Sequence, residues 1–427
     1  MANAFSKEER VAFEDLLEGF HDALVLSRNV GIYNTDQTMM ARTNDVIWRP
    51  MPYIAQSISS TPGTPIGGYQ DMTQLSVPAT IGFSRTVPWT MTTLDLRDAL
   101  QEGRLGEAAK QKLASDINLA IMNAAANLGS LVVDIGAAAG TYDDVALCDS
   151  IMNEQGVADY DRFLALSSRD YNGLAGNIAG AAAAATRSFG GNKSNTAFER
   201  SFVGMVAGFE TFKFDYANRL TGAAGGATLI DTQAAANNYY VPAATSTAPS
   251  GETQNVDNRF QTITVNNTGG VAAGDAFTIS GVEAVHHISK QGTGQPKTFR
   301  VAQVVNGTDL VITPPIISAQ GGSDAELQYQ NCIVTPAAAA PFTWLNVNTA
   351  AVNVFWQRDA LELLPGRYAV PTDAGTAVMR ATTDQGIEVV MQKFYDIDSM
   401  TIKYRLDTLF GVVNKQPEMS GILLFNQ

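Results

Sequence analysis

The stretch from Leu94 to Val133, LDLRDALQEGRLGEAAKQKLASDINLAIMNAAANLGSLVV, restricts the fold more than any other part of the chain. Apolar residues recur there at Leu113, Ile117, Ala120, Ile121, Ala124, Leu128, Leu131 and Val132. Steps of three and four place them in one stripe along a helix. Gly106 and Glu107 suit its start, because a short residue can cap and a carboxylate favours the positive end of the helix dipole. Gly129 suits its stop. A helix over about 107–128 would be roughly 33 Å long, which is long for a globular domain. Its alanines (Ala120, Ala124, Ala125, Ala126) permit close packing. An ordinary core helix satisfies this periodicity, and so does a spine crossing a thin, plate-like subunit. The rest of the chain has to choose between them.

At 427 residues the chain is too long for one ordinary core, so two or three domains are expected. Apolar residues make up 45%, enough to fill them, but charged residues only 16%, against about a quarter in typical globular proteins. A surface poor in charge favours contact with protein over contact with water, as in an assembling subunit. The formal charge of −14 argues against general nucleic-acid binding, which needs basic patches. Such a balance suits a container that must not adhere to the DNA inside it. Cys148 and Cys332 form no motif and read as free buried thiols. No apolar run reaches the length of a membrane span, and MANAFSKEER lacks the apolar region of a signal peptide.

Residues 6–30 read as an amphipathic helix with a Ser6–Glu9 capping box. Its apolar set is Val11, Phe13, Leu16, Leu17, Phe20, Leu24 and Val25, with Glu14, Asp15, Glu18 and Asp22 outside. That acidic face is either simply solvated or a docking face for a basic partner. Val46–Pro50 reads as a short strand closed by proline. Residues 53–80 are rich in Ser, Thr, Pro, Gly and Gln, a long loop of a kind that is uncommon inside compact domains and is usually either functional or disordered. An arm lying on a neighbouring subunit would account for it. Residues 81–90 return as a strand. Beyond the long helix come a helix at 143–154, a buried strand at 162–166, a turn or helix from Asp170, and strand–turn–strand at 203–214. From about Thr221 the composition becomes Gly/Ala/Thr-rich, and 255–314 alternates in short strands with turns between them. Residues 222–342 therefore read as an all-β module inserted into a host. Strands resume at Asn353–Trp356 and over 387–413, where they can pair with 81–90 and back the long helix.

No catalytic constellation is legible. The chain has three histidines; His21 is alone, and His286 and His287, taken as strand neighbours, point to opposite faces and cannot share a metal. There is no H-x-x-x-H, C-x-x-C or G-x-S-x-G. Gly190-Gly-Asn-Lys-Ser194 lacks the glycines of a phosphate-binding loop, and Gly292-Thr-Gly294 does not open a helix. Neither an enzyme, nor a metal, nor a cofactor is expected.

Three segments carry a family resemblance: Asn255-Val-Asp-Asn-Arg-Phe-Gln-Thr-Ile-Thr-Val265, Gly274-Asp-Ala-Phe-Thr-Ile-Ser-Gly-Val282 and Thr298-Phe-Arg-Val-Ala-Gln-Val-Val-Asn-Gly-Thr-Asp-Leu-Val-Ile-Thr-Pro314. In order and spacing they resemble the inserted domain of short-tailed (podovirus-type) bacteriophage coat proteins. Leu94-Asp-Leu-Arg97 with the helix ending Gly129-Ser-Leu-Val132, and Asn353-Val-Phe-Trp356, agree with it.

The resemblance implies an α+β tailed-phage major capsid fold with an inserted, barrel-like all-β domain. Mapped onto this chain, it gives an N-terminal arm (1–45), an extended loop with flanking strands (46–90) and a peripheral-domain spine helix (91–135). An axial domain follows in two parts (136–221 and 343–385) around the inserted domain (222–342), with peripheral C-terminal strands last (386–427). It implies a structural subunit that assembles into pentamers and hexamers of an icosahedral virion shell. A scaffold-assisted procapsid would form in the host cytoplasm and mature by expansion around double-stranded DNA. The implied partners are copies of itself, a scaffolding protein, a portal protein and, optionally, a decoration protein, with no membrane. Glu14, Asp15 and Glu18 become candidates for meeting a basic scaffold segment. Thr61, Pro62, Tyr69 and Asp71 become candidates for contact between subunits. Residues 222–254 are poor in charge, with Asp231, Glu252 and Asp257 nearly all that is available for ion pairs between capsomers. The competing reading is a β-rich surface adhesion protein using the 222–342 module; the long central helix and the missing leader weigh against it.

Overall fold

The structure is a computed structural model. It describes parts of 9–33 and 46–57, then 62–63, 69, 71–92, 99–181, 203–214, 219–231, 239–369 and 377–425, with backbone only at 99–105 and 177–181.

The described residues between Glu9 and Phe20 are helical, and a 3-10 turn (Leu26–Asn29) and strand β1 (Gly31–Ile32) follow. Phe13, Leu16, Phe20 and Leu24 are buried at helical spacing, whereas Val11 is 57% exposed. Two residues before Phe13, Val11 lies on a different helical face, so it leaves the stripe assigned to it. β2 (Val46–Pro50) and β3 (Ser76–Thr80) pair as a two-stranded ribbon, and β4 (Phe83–Thr92) comes next.

Helix α1 runs Ala99–Leu128, starting well before the expected Glu107. Gly106 therefore lies inside the helix and caps nothing. A Cβ there would sit 3.2 Å from Leu16 Cδ1, so the glycine allows a close approach to the N-terminal helical stretch. Burial is also broader than one stripe: Ala114, Asn118, Met122, Ala125 and Ala126 are buried beside Leu113, Ile117, Ala120 and Ile121. The helix is enclosed on more than one side. Its last turn closes with Gly129 N–H donating to Ala125 C=O at 2.8 Å.

The chain continues through β5 (Leu131–Ile135), α2 (Tyr142–Glu154), β6 (Arg162–Leu166) and α3 (Ser168–Ala181). Then come β7 (Met205–Val206), β8 (Phe209–Lys213), β9 (Arg219–Leu220) and a hairpin of β10 (Thr245–Thr247) with β11 (Thr253–Asn255). β12 (Gln261–Thr264), β13 (Ala276–Val285), β14 (Gly292–Val304) and β15 (Asp309–Thr313) lead to α4 (Asp324–Tyr329) and β16 (Phe342–Trp344). The last strands are β17 (Ala350–Gln357), β18 (Leu361–Pro365), β19 (Ala377–Thr382), β20 (Glu388–Asp396), β21 (Thr401–Asn414) and β22 (Ser420–Phe425).

Two compact units result. The first comprises 1–47, 78–122 and 361–413; the second comprises 48–77, 123–360 and 414–427. In the first, β1, β18, β21, β20 and β19 form one sheet, with β4 along β21 in antiparallel register from Phe83↔Phe410 to Thr92↔Thr401. Trp89 stacks on Tyr404 and Phe83 on Phe410. The expected pairing of 81–90 with the C-terminal strands is thus present.

In the second unit the host sheet has the order β5-β22-β17-β6-β8-β7. β22 lies parallel to β5, from Gly421↔Leu131 to Phe425↔Ile135. β20 and β21 belong to the first sheet and β22 to this one, so the strands of 386–427 serve two different sheets. β12-β15-β14-β13-β16 form a separate antiparallel sheet. Leu229 bridges Pro341 and Ile230 bridges Val265, so this segment joins the two edges and closes a ring of pairing. Inside lie Ile230, Ile263, Phe277, Phe299, Ile312 and Phe342 among others, all between 230 and 342. Phe277 stacks face to face on Phe342 with ring centroids 4.4 Å apart. His286 and His287 follow β13 in a turn and are not strand neighbours: His286 Nδ1 accepts from Ser289 N–H at 3.1 Å, and His287 is buried. Both cysteines are free and buried.

Candidate functional site

Among the described residues no group of three His, Cys, Asp or Glu side chains could hold a metal, and no helix is long and apolar enough to cross a membrane. The informative features are a long loop held at its stem and a polar seam beneath the closed sheet.

The loop between β2 and β3 rises from a small apolar cluster. Leu75, Ile317 and Tyr329 are buried together, with Met51, Ile54 and Tyr240 packed around them. Both ends of the loop thus rest on residues of the 222–342 segment. The segment leading into β3 is fixed by side chains of α4. Thr73 N–H donates to Gln328 Oε1 at 3.0 Å, and Tyr329 O–H donates to Thr73 C=O at 2.9 Å. Asp71 N–H donates to Asp324 Oδ2 at 3.1 Å. Above this stem Tyr69 is 99% exposed and Met72 59%.

α4 is itself anchored. Ser323 and Glu326 make a reciprocal capping box, and the buried Glu326 carboxylate also accepts from Gly321 N–H at 3.1 Å. At the other end Lys290 Nζ donates to the carbonyls of Gln328 (2.7 Å) and Gln330 (3.3 Å). Burial pushes the Lys290 ammonium down to about 8, partly offset by Glu418.

β14 carries the seam. Lys297, Thr298 and Arg300 reach host segments far away in sequence. Lys297 Nζ donates to Gln155 Oε1 at 2.9 Å and pairs with Glu418. Thr298 O–H donates to Ser130 C=O at 2.7 Å. Arg300 donates to Gly129 C=O and Gly274 C=O, and burial lowers its guanidinium to about 10. Asn331 Nδ2 donates to Glu418 Oε1 at 3.1 Å. His287 Nε2 lies 3.1 Å from Glu418 Oε2. Burial works to raise the Glu418 pKa, but His287 and Lys297 outweigh it and hold the carboxyl well below the usual range.

The chain enters and leaves the closed sheet side by side. Arg219 and Leu220 pair with Ala351 and Ala350. Buried Asn346 joins the two runs: its Nδ2 donates to Thr221 C=O and Asp275 Oδ1, and its Oδ1 accepts from Ala276 N–H.

Of the residues singled out from sequence, Asp15, Glu18 and Thr61 lie outside the described residues. Glu14 is exposed on the helical stretch, and Pro62 is exposed in a turn with Gly63. Glu9 reaches Lys393 and the Tyr404 hydroxyl; Ser6, its expected capping partner, is outside the described residues. Asp257 accepts both arms of the Arg259 fork, which also donates to Asn414 C=O. One of the few acids near 222–254 is therefore already paired within the chain. The α4 residues and the Lys297–Glu418 seam were missed. The Ser323-Asp-Ala-Glu326 capping pattern was the available signal for α4, whereas no spacing rule links Lys297 to Glu418.

The family described as P22 coat protein, gene protein 5, matches residues 1–426. The chain belongs to the P22 coat protein family. Solved structures similar to it include the Cyanophage P-SCSP1u capsid (10% identity, 93% of this chain and 87% of that one, TM-score 0.45) and Mycobacterium phage Che8 (10%, 94% and 91%, 0.44). A CUS-3 coat protein I-domain is similar over 29% of this chain and 98% of its own length, at 36% identity and TM-score 0.23. Membership in the P22 coat protein family makes this a tailed-phage major capsid protein of α+β fold, a self-assembling subunit of the virion shell.

Proposed function

We propose that the chain builds an icosahedral shell of pentamers and hexamers, first as a procapsid around a scaffolding protein and then, after expansion, around double-stranded DNA packaged through a portal. It performs no reaction. Assembly takes place in the host cytoplasm, and a decoration protein is an optional partner. Residues 222–342 act as a domain inserted into the axial domain. The loop with Thr61, Pro62, Tyr69 and Asp71 contacts a neighbouring copy, and Glu14, Asp15 and Glu18 meet a basic scaffold segment.

The observation that carries this reading is Tyr69, fully uncovered in the single chain on a loop whose stem is held. Aromatic side chains are favoured anchors in protein interfaces, and a copy of the same chain is what a shell subunit meets most often. Side-by-side passage at β9 and β17 supports the insertion. The burial register of the N-terminal helical stretch, which leaves Glu14 outward, supports an acidic docking face.

Tyr69→Ser tests it. Circular dichroism of the unassembled chain should not change, while assembly measured by sedimentation and electron microscopy should slow at least tenfold, the weight of one strong interface residue. Shells of normal yield and diameter from the variant would remove Tyr69 from the interface.

A further inference from the structure

The stem of the 53–75 loop is held by side chains in an unusual way. A loop normally leaves a sheet along its own ladder, and β3 does begin one at Ser76. Just before it, the backbone groups of Thr73 are both engaged by α4: N–H to Gln328 Oε1, C=O to Tyr329 O–H and, at 3.3 Å, to Gln328 Nε2. Two residues earlier, Asp71 N–H meets Asp324. α4 therefore grips alternate residues of an extended segment, as a partner strand would, but with side chains from one six-residue helix.

The grip is rigid at its base. The capping box fixes one end of α4 and Lys290 the other. Gly321 passes so close to the buried Glu326 carboxylate that a Cβ would lie 2.5 Å from Oε2. From Tyr329 the chain reaches Asn331, whose side chain donates to Glu418 in the seam and accepts from Ile317 N–H at 3.0 Å. An unbroken set of hydrogen bonds and packed side chains thus runs from the loop stem to the seam.

We propose that Asp324, Gln328 and Tyr329 are positioning residues: a clasp that sets the direction in which the loop leaves its own subunit, and so presents Tyr69 and Met72 to a second copy of the chain. This rests on the reading of the loop as an intersubunit element. The clasp lowers the cost of assembly by fixing Asp71 and Thr73 before contact, because a segment left free would have to be fixed on binding.

The test uses the full chain carrying Asp324→Ala and Gln328→Ala together, which removes the acceptors of both the Asp71 and the Thr73 amides while leaving Tyr329 in its cluster. In the unassembled protein, hydrogen exchange at the Asp71 and Thr73 amides should accelerate about fivefold or more, the worth of one ordinary hydrogen bond, with β12–β15 unchanged. Assembly should slow by a similar factor. Asp324→Asn keeps an acceptor for Asp71 N–H and should restore exchange at Asp71, which a merely packing role would not produce. Unchanged exchange in the double variant overturns the clasp. Faster exchange with wild-type assembly rate and shell diameter overturns its positioning role. Tyr69→Ser is run in parallel: if it too assembles normally, the fault lies in the intersubunit reading of the loop, and the exchange data still report whether the stem is gripped.

Discussion

Glu418 shows how a single residue ties this chain to its pH range. It sits on the 3-10 turn Pro417–Met419, buried against Lys297, Asn331 and His287. Its carboxyl pKa is depressed below the ordinary 4.5 because the charges of His287 and Lys297 outweigh burial. The unfolded chain therefore binds the proton first, so the stabilisation is complete above pH 4.5 and is lost as pH falls below it. Glu418→Gln should flatten the fall of the melting temperature between pH 5 and pH 3. At pH 7 it should also cost about 3–5 kcal/mol, since Lys297 is left buried without its counter-charge. Melting curves of the two proteins across that range decide it; parallel curves would mean the seam does not govern acid stability. None of this was legible in sequence. No motif or spacing marks Lys297 or Glu418, and only the folding of β14 against the host brings them together.

Among the elements, α1 separates what periodicity can and cannot tell. Its core was readable because apolar steps of three and four are a local property. Its true start was not: Gly106 looked like a boundary by propensity, but contact with Leu16 decided its place. Its end was placed correctly, though for a different reason than a left-handed cap. At Gly129 a Cβ would lie 2.7 Å from Ala125 O and 3.1 Å from the Gly421 backbone, so the glycine allows the helix end to pass against β22. Gly129→Ala should destabilise the chain by about 1–3 kcal/mol, the usual cost of overpacking. Gly136→Ala, with nothing within 4 Å of the added carbon, should change stability by less than about 0.5 kcal/mol. Equal denaturation midpoints for the two variants would contradict the close passage. The candidate site divides in the same way. The loop was read from composition as 53–80, but β3 (Ser76–Thr80) takes its last 5 residues, because Val77 and Ala79 are buried there at strand spacing; its clasp was hidden, because Gln328 and Tyr329 act on Thr73 through the tertiary fold and leave no periodic trace.

For the molecule as a whole, the consequential question is where the inserted segment ends. Composition placed its end at 342, just after the small-residue run 337–341. The pairing runs further: Phe342–Trp344 forms β16 against β13, and Leu345 N–H donates to Ala276 C=O. Asn346 then ties Asp275 and Ala276 to Thr221. A cut at 342 would sever β16 after its first residue and remove both the Trp344 ring, which packs edge-on against Phe277 and Phe342, and the Asn346 staple. The fully buried residues of the apolar core lie between 230 and 342, with Trp344 packed against them, so a segment that includes Trp344 should fold without the host. Expressed alone, residues 221–347 should melt cooperatively. Residues 222–342 should be less stable by about 3 kcal/mol, from roughly 1 kcal/mol for each of two or more lost hydrogen bonds and about 1 for the aromatic contacts. Denaturant titration of the two fragments measures the difference directly. Equal stability would return the boundary to 342 and reduce Asn346 to a bystander. An uncooperative 221–347 would mean that the seam, with Lys297 and Arg300 held by host groups, is needed for the closed sheet to form at all.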